Sequence, residues 1–210
     1  ASFGEIEYLL SIGVDATKLI YSNPVKLEQD IIRAYNVGVE WFVYDSDAEI
    51  KKLARYAPES EVVLRIAVSN ANAVYKLSSK FGAEPKHAIR LLLKAKKSGL
   101  NPTGLTFNAG SHTLGAADYI EAIKLSKKIF KEAKKEGIKL DCLDIGGGYP
   151  PLGDEDHDSA KMLEEIYEVL DEEFPKDSGV ELIVEPGRFL VKDAGTLITK
   201  VIGKANRGGT

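Results

Sequence analysis

Two short stretches of sequence decide the fold: Leu143-Asp144-Ile145-Gly146-Gly147-Gly148 and, about forty residues later, Glu185-Pro186-Gly187-Arg188. The first stretch begins as a predicted buried strand, Leu143–Ile145, and ends in three glycines. The second follows the apolar run Leu182–Val184 and combines a glycine with two charged residues. Glycine leaves the backbone bare, so its N–H groups can approach an anion closely. A lone run of three glycines is more often a flexible turn. Two such strand ends at this spacing predict one shared site for a phosphate-bearing ligand.

The rest of the chain alternates apolar strand-like runs with segments of helical periodicity. Six strands are predicted, in Lys18–Tyr21, Trp41–Tyr44, Glu61–Ala67, Gly104–Phe107, Leu143–Ile145 and Glu181–Glu185. A helix or a long connection separates each pair of strands, and no hairpin signal appears. This pattern predicts a parallel sheet with right-handed crossovers, whose apolar strands are covered on both faces.

Two α/β architectures compete for this pattern, a doubly wound open sheet and a closed barrel. Polar or charged residues follow several strands in turn: Asn23, Asp45, Arg65, Asn108 with Ser111, Gly146–Gly148 and Glu185–Arg188. A barrel collects its active residues from many strand ends, whereas an open sheet concentrates them at one switch point. We therefore predict a (β/α)8 TIM-type barrel with six of its eight strands present, which leaves two apolar edges exposed.

Composition limits the classes of function. The chain has 210 residues, 28 basic against 32 acidic, with a net charge of −4. This balance favours neither nucleic acid nor an anionic membrane as a partner, and no apolar run approaches the ~20 residues that span a bilayer. The single cysteine, Cys142, lies in an apolar strand and predicts a buried thiol in a reducing, cytoplasmic compartment. His87 and His157 lie in polar stretches and are predicted to be surface residues, so no metal site is expected.

Several motifs occur in an order that resembles one known family. They are Tyr21–Lys26, Leu64–Ala67, Leu77–Gly82, Phe107–Ser111, Leu143–Gly148, Phe174–Gly179 and Glu185–Phe189. Together they resemble the barrel domain of ornithine decarboxylase and its relatives, the alanine-racemase-like (fold type III) decarboxylases that depend on pyridoxal 5′-phosphate (PLP). The resemblance covers nearly the whole chain. It implies a PLP-binding barrel domain over residues 1–195 and the start of a C-terminal β-domain over residues 196–210.

The resemblance also implies roles for individual residues. The matched cofactor-binding positions are Arg65, Asn108, Ser111, Gly146, Gly147, Gly148, Glu185, Gly187 and Arg188. In the family, the four glycines and the residue matching Ser111 hold the phosphate, and the residue matching Arg188 lies beside it. The residue matching Glu185 keeps the pyridine nitrogen protonated. Lys80 matches a lysine that reaches across the dimer interface. Read without the family, Arg65 could form a surface salt bridge, Ser111 could cap a turn and Lys80 could be a solvated loop residue. Glu185 is harder to explain in this way, since a carboxylate that ends a buried strand is costly without a partner.

The departures from the family pattern concern catalysis. The family's Schiff-base lysine lies on the first barrel strand, upstream of Ala1, so no catalytic residue is expected in this chain. Asn108 stands where the family has a histidine that stacks on the cofactor ring. An amide has no aromatic face, so we expect a loss of about 0.5–1.5 kcal/mol of stacking.

We therefore expect the complete protein to be a lyase, a PLP-dependent decarboxylase of a basic amino acid in polyamine biosynthesis, and a homodimer. The 210 residues alone are expected to be inactive. The substrate stays open among ornithine, lysine, arginine and a carboxylated polyamine. Two alternatives also stay open: a catalytically silent regulator like the antizyme inhibitors, and an excised or engineered barrel fragment.

Overall fold

The chain forms an α/β fold, seen in a computed structural model that describes residues 2–75, 80–151 and 158–203. The strands in this part of the chain are β1 (Ile20–Tyr21), β2 (Trp41–Tyr44), β3 (Glu61–Arg65), β4 (Ala73–Tyr75), β5 (Asn101–Thr106), β6 (Ser111–Thr113), β7 (Cys142–Asp144) and β8 (Glu181–Ile183). The α-helices are α1 (Phe3–Ser11), α2 (Glu28–Asn36), α3 (Asp47–Tyr56), α4 (Ala88–Lys97), α5 (Ala117–Lys135), α6 (Ser159–Glu173) and α7 (Gly187–Val191). Short 3₁₀ turns lie at Ala16–Lys18, Pro85–His87, Lys176–Ser178 and Lys192–Ala194.

Local sequence explains where several helices begin and end. Helix α3 follows Ser46, whose side chain accepts a hydrogen bond from the N–H of Glu49 at 3.3 Å and so satisfies one free donor of the first turn. Helix α5 ends before Gly137, which has a φ of +72°. That left-handed conformation is cheap only for glycine, and it closes the helix.

The main sheet is a curled, six-stranded parallel half-barrel in the order β1-β2-β3-β5-β7-β8. Every pairing in it is parallel. Among the described residues, the two outer strands, β1 and β8, each pair with one neighbour only. The prediction of a barrel fold with six strands present is therefore confirmed.

A second, two-stranded sheet corrects the sequence analysis. Strands β4 and β6 pair antiparallel, with Ala73 opposite Thr113 and Tyr75 opposite Ser111. We expected only a polar connection between Ser69 and Gly82, and no antiparallel pairing. The two strands have three residues each, and they come from excursions far apart in sequence, so no local pattern could reveal them. Leu77, Ser78 and Ser79 of the predicted motif lie outside the described residues.

Burial follows the position of each strand in the sheet. In the central strands, Val62, Leu64, Leu105 and Leu143 are fully buried, and Cys142 is buried as predicted. In and after β8, an outer strand of the sheet, Leu182 is 41% exposed and Val184 is 52% exposed. The expectation that all six strands are covered on both faces is therefore wrong for β8.

Two further observations concern ligands and membranes. Within the described ranges, no helix has the length and apolar character needed to cross a bilayer. The same residues contain no group of three or more His, Cys, Asp or Glu side chains able to hold a metal ion. His87 is exposed, as predicted, and His157 lies outside the described residues.

Candidate functional site

The carboxyl ends of β5, β7 and β8 meet at one edge of the sheet. The N–H of Phe107 donates to the carbonyl of Asp144 at 3.1 Å, and the N–H of Ile145 donates to that of Ile183 at 3.0 Å. Beyond these bonds lies the glycine loop, Gly146–Gly148, which follows β7. The predicted juxtaposition of this loop with Glu185 is present, since the two segments are in direct contact.

The glycine loop contains no side chains because its neighbours occupy the space. A Cβ on Gly146 would lie 2.3 Å from the carbonyl oxygen of Phe107. One on Gly147 would lie 2.2 Å from the oxygen of Glu185, and one on Gly148 would lie 2.1 Å from that of Gly110. The sequence analysis attributed the glycines to the approach of an anion. The structure adds a separate requirement, which is that three loops pack backbone against backbone.

All three carbonyl groups of the glycine loop are hydrogen-bonded within the protein. The carbonyl of Gly146 accepts from the N–H of Glu185 at 2.9 Å, and that of Gly147 accepts from the hydroxyl of Tyr119 at 2.7 Å. The carbonyl of Gly148 accepts from the N–H of Thr113 at 3.0 Å. Tyr119 is fully buried on α5 and stacks on the Tyr149 ring, with centroids 5.3 Å apart. The sequence analysis missed this support, because an aromatic residue on a helix gives no signal beyond ordinary core packing.

The backbone N–H groups of the glycine loop differ from its carbonyls, because only one of the three has an acceptor among the described residues. The N–H of Gly146 donates to the carboxylate of Asp144 at 2.8 Å. The N–H groups of Gly147 and Gly148 have no acceptor among the residues that the structure describes, and Gly147 is buried. A buried backbone N–H without a partner is rare in proteins. The loop is therefore fixed through its carbonyls and offers two adjacent N–H groups to an anion.

A polar cavity of about 160 Å³ is lined in part by Phe107, Asn108 and Glu185, which also contact the glycine loop. It is lined by Ser22, Asn23, Pro24, Arg65, Thr106, Phe107, Asn108 and Glu185. It therefore brings together three of the predicted site residues, Arg65, Asn108 and Glu185, and adds the segment after β1. Glu185 belongs to both features, because its backbone N–H donates to the carbonyl of Gly146 and the residue also lines the cavity.

Arg65 is the cationic residue of the cavity. It is half-buried at the end of β3, with its guanidinium carbon 5.1 Å from the centre of the Phe81 ring. Burial lowers the pKa of Arg65, and the nearby carboxylates of Glu185, Asp45 and Asp144 oppose that shift. Among the described residues, Arg65 has no ion pair within 4.0 Å. The alternative of a surface salt bridge is therefore wrong.

Glu185 is exposed at its strand end. The expectation that Glu185 ends a buried strand is wrong, because β8 is an outer strand and the residue is exposed. Its position beside Arg65 is nevertheless reflected in the electrostatic attraction between the two groups.

Asp144, in the Leu143–Gly148 motif, is a further functional candidate to which the sequence analysis assigned no role. It ends β7, is 3% exposed, and accepts the Thr106 hydroxyl at 2.9 Å as well as the N–H of Gly146. Burial, together with the neighbouring Glu185 carboxylate, raises the pKa of Asp144 to about 7, against the opposing effect of its hydrogen bonds and of Arg65. A carboxylate inside an apolar strand was the signal that could have identified it.

The remaining predicted residues lie around these two features. Asn108 uses its side-chain oxygen to accept the N–H of Gly110 at 2.9 Å, so its amide closes a local turn. Ser111 is half-buried at the start of β6. Gly187 and Arg188 are exposed in the first turn of α7 and do not line the cavity. Lys80 is exposed too.

A larger cavity of about 320 Å³ lies between α6 and the segment after β8. Its lining includes Leu163, Ile166, Val184 and Phe189 and consists of apolar and aromatic residues with the Tyr149 and Tyr167 rings. Among the described residues, its lining has no charged residue, in contrast to the polar cavity, which contains Arg65 and Glu185.

Comparison with known proteins agrees with this geometry. A family model described as the pyridoxal-binding domain of pyridoxal-dependent decarboxylases matches residues 1–192. The lysine/ornithine decarboxylase of Selenomonas ruminantium is 40% identical over 210 residues, which is 99% of this chain and 53% of that protein. The ornithine decarboxylase of Mus musculus is 38% identical over 204 residues, 97% of this chain and 44% of that protein. The chain thus spans about half the length of the curated relatives it matches.

Solved structures give the same result. An SrLDC mutant in complex with PLP superposes with a TM-score of 0.85 at 39% identity, over 90% of this chain and 49% of that chain. The arginine decarboxylase of Paramecium bursaria Chlorella virus, bound to agmatine, also has a TM-score of 0.85, at 35% identity over 90% of this chain and 50% of that chain.

Proposed function

Because the chain belongs to the pyridoxal-binding domain family of the pyridoxal-dependent decarboxylases, we propose that it forms the cofactor-binding part of an enzyme that decarboxylates a basic amino acid. The cofactor of this family is PLP. When bound, PLP supplies an electron sink for the electron pair left behind as carbon dioxide departs. Relatives named for lysine, ornithine and arginine support a basic amino acid as the substrate. They also support a role in forming the diamines from which polyamines are made.

The observation that carries the assignment of the phosphate is the pair of N–H groups on Gly147 and Gly148, which have no acceptor within residues 2–75, 80–151 and 158–203. Bare N–H groups on a fixed loop form an anion site without any rearrangement. We assign the PLP phosphate to them, with Ser111, Gly187 and Arg188 as further contacts from the neighbouring loops. The residues present therefore fit the phosphate end of the cofactor.

The polar cavity fits the ring end. We propose that the Glu185 carboxylate keeps a proton on the ring nitrogen, which makes the ring a better electron acceptor. Arg65 and Asn108 flank the ring in this assignment. Asn108 can supply a hydrogen-bonding edge but no aromatic face, and its amide oxygen already accepts the N–H of Gly110.

No lysine lines the polar cavity in the described part of the chain. We therefore propose that the 210 residues bind PLP reversibly and do not decarboxylate an amino acid by themselves. In the complete protein, we propose a cytoplasmic homodimer with Lys80 at the interface. We also propose that residues 1–195 form the barrel domain and residues 196–210 begin the next domain. In support, Leu197, Ile198, Val201 and Ile202 are 73–96% exposed, and residues 204–210 lie outside the described part.

A competition experiment tests the assignment of the phosphate. We expect PLP and inorganic phosphate to compete for one site on the 210-residue chain, because both use the N–H groups of the glycine loop. Pyridoxal, which lacks the phosphate, should bind at least about tenfold more weakly than PLP, since charge-assisted hydrogen bonds to a phosphate contribute about 1.5–3 kcal/mol. Equal affinity for pyridoxal and PLP, or failure of phosphate to displace PLP, would contradict the assignment.

A catalytically silent regulator of the antizyme-inhibitor type is the second candidate function. The observation that favours it is Asn108, whose amide closes a turn at the position where a ring-stacking side chain is expected. The decisive measurement is carbon dioxide release by the complete protein from lysine, ornithine and arginine. Release from none of them, with PLP binding intact, would favour the regulator.

A further inference from the structure

Lys26, in the loop between β1 and α2, is a fully buried lysine. Its ammonium nitrogen donates to the carbonyl of Val43 at 2.6 Å and to that of Asn23 at 3.0 Å, and it pairs with the Glu49 carboxylate at 2.9 Å. Two of the three ammonium donors are hydrogen-bonded to backbone carbonyls, and the ion pair with Glu49 supplies the counter-charge. Burial lowers the pKa of Lys26 to about 8, against the opposing attraction of Glu49. A buried charge is tolerated only when it is paired and hydrogen-bonded in this way.

Glu49, the partner of Lys26, is itself buried in the first turn of α3. Its second carboxylate oxygen pairs with Lys52 at 2.6 Å, and the Lys52 ammonium also bonds the carbonyl of Lys26. The network ties the loop after β1 to the end of β2 and to the start of α3. Removing Glu49 would leave the buried Lys26 ammonium without its paired carboxylate, whereas removing Lys26 would leave Glu49 paired with Lys52.

The segment that this network holds forms one wall of the polar cavity. Ser22, Asn23 and Pro24 line it together with Arg65 and Glu185. Strand β1 is only two residues long and, in the described chain, pairs with β2 alone. So short a ladder fixes the following loop weakly. The contacts of Lys26 with Val43 and Asn23 supply the restraint that the strand lacks.

We propose that Lys26, together with Glu49, is a positioning residue that holds Ser22–Pro24 as the cavity wall facing the cofactor ring. This inference rests on the proposed function, which assigns the ring to the polar cavity and the phosphate to the glycine loop. Lys26 does not bind the cofactor, because its buried ammonium group already contacts Glu49 and two backbone carbonyls inside the protein. We therefore expect a substitution of Lys26 to weaken binding of the cofactor ring and to leave binding of the phosphate unchanged.

Two ligands separate these effects. Pyridoxine 5′-phosphate carries the ring and the phosphate but lacks the aldehyde, so surface lysines cannot react with it. Inorganic phosphate has the phosphate group without the ring. Both are titrated by calorimetry against the 210-residue chain and against Lys26→Met, which keeps an unbranched side chain one atom shorter and removes the charge. Lys96→Met is the matched control, because that lysine also bonds a backbone carbonyl, that of Gly137 at 2.8 Å, and does not line the cavity.

We expect Lys26→Met to weaken pyridoxine 5′-phosphate about tenfold or more and to change phosphate affinity less than about twofold. The control should change neither. Unchanged affinity for both ligands, or an equal loss for both, would overturn the inference, since a merely structural lysine gives no selective loss of the ring-bearing ligand. If the unmodified chain binds neither ligand, the proposed function fails first and this inference fails with it.

Glu49→Gln tests the same inference should Lys26→Met not fold. This variant keeps the shape of the side chain and an acceptor for Lys26 but removes the counter-charge. The expected selective loss is about threefold to tenfold for pyridoxine 5′-phosphate alone. A loss of the same size for both ligands would again overturn the proposal.

Discussion

Replacing Asp144 with asparagine should make the protein more stable at neutral and alkaline pH and should remove part of its pH dependence. Asp144 is 3% exposed, and burial with the nearby Glu185 raises its pKa from 3.8 to about 7. Between these values, the folded protein keeps a proton on Asp144 that the unfolded chain has already released. The folded state therefore binds more protons, and the free energy of unfolding falls as pH rises from about 4 to about 7.

The size of this effect follows from the size of the pKa shift. One pKa unit corresponds to about 1.4 kcal/mol, so a shift of about three units sets an upper value of about 4 kcal/mol. Asparagine is neutral at every pH and preserves the local hydrogen bonds. Its amide oxygen can accept the N–H of Gly146, and its amide nitrogen can donate to the Thr106 hydroxyl, which is free to rotate. We therefore expect Asp144→Asn to lie within about 1 kcal/mol of the unmodified chain at pH 4. By pH 8 it should be more stable by about 2–4 kcal/mol.

Urea unfolding followed by the fluorescence of Trp41, the single tryptophan, measures this difference at each pH. Asp141→Asn is the matched control, because it removes the same charge from a half-buried residue just before the same strand. The advantage of Asp144→Asn should grow with pH beyond that of the control. Parallel stability curves for the unmodified chain and Asp144→Asn would refute the reasoning, and so would a variant that loses stability as pH rises. Either result would mean that Arg65 and the hydrogen bonds keep Asp144 ionised in the folded protein.

Two further substitutions test the site, and each has its own readout. Asn108→His should strengthen pyridoxine 5′-phosphate by about 0.5–1.5 kcal/mol through ring stacking and leave inorganic phosphate unchanged; calorimetry that showed equal gains for both would place the ring away from residue 108. Gly147→Ala should destabilise the fold by about 1–3 kcal/mol in urea unfolding and weaken phosphate, because the new Cβ would lie 2.2 Å from the carbonyl oxygen of Glu185 and must push two loops apart. Gly115→Ala is the matched control, because Gly115, like Gly147, lacks a positive φ and its new Cβ would meet nothing within 4 Å; if it weakened phosphate as much, the contact between the loops would not be the cause.

The sequence alone predicted the architecture, which is confirmed, and proposed where the site lies. Alternating strands and helices, with glycine and charge at the strand ends, predicted a parallel barrel fold and the meeting of Gly146–Gly148 with Glu185. Such patterns are legible because strand burial, helix periodicity and helix stops depend on residues close together in the chain. The motifs, in their order, then identified the family and its cofactor.

The tertiary structure decided which groups are free and which are used. It alone revealed that the carbonyls of the glycine loop are hydrogen-bonded, whereas the N–H groups of Gly147 and Gly148 have no acceptor in the described part of the chain. It also placed Asp144 against Thr106 and paired Lys26 with Glu49 beneath the cavity wall. Strands β4 and β6, and the exposure of β8, were likewise settled by distant parts of the chain. Each of these features joins residues about twenty to forty positions apart or depends on the position of a strand in the sheet. The sequence could not predict them, because contacts of that kind are set by the register and packing of whole strands and helices.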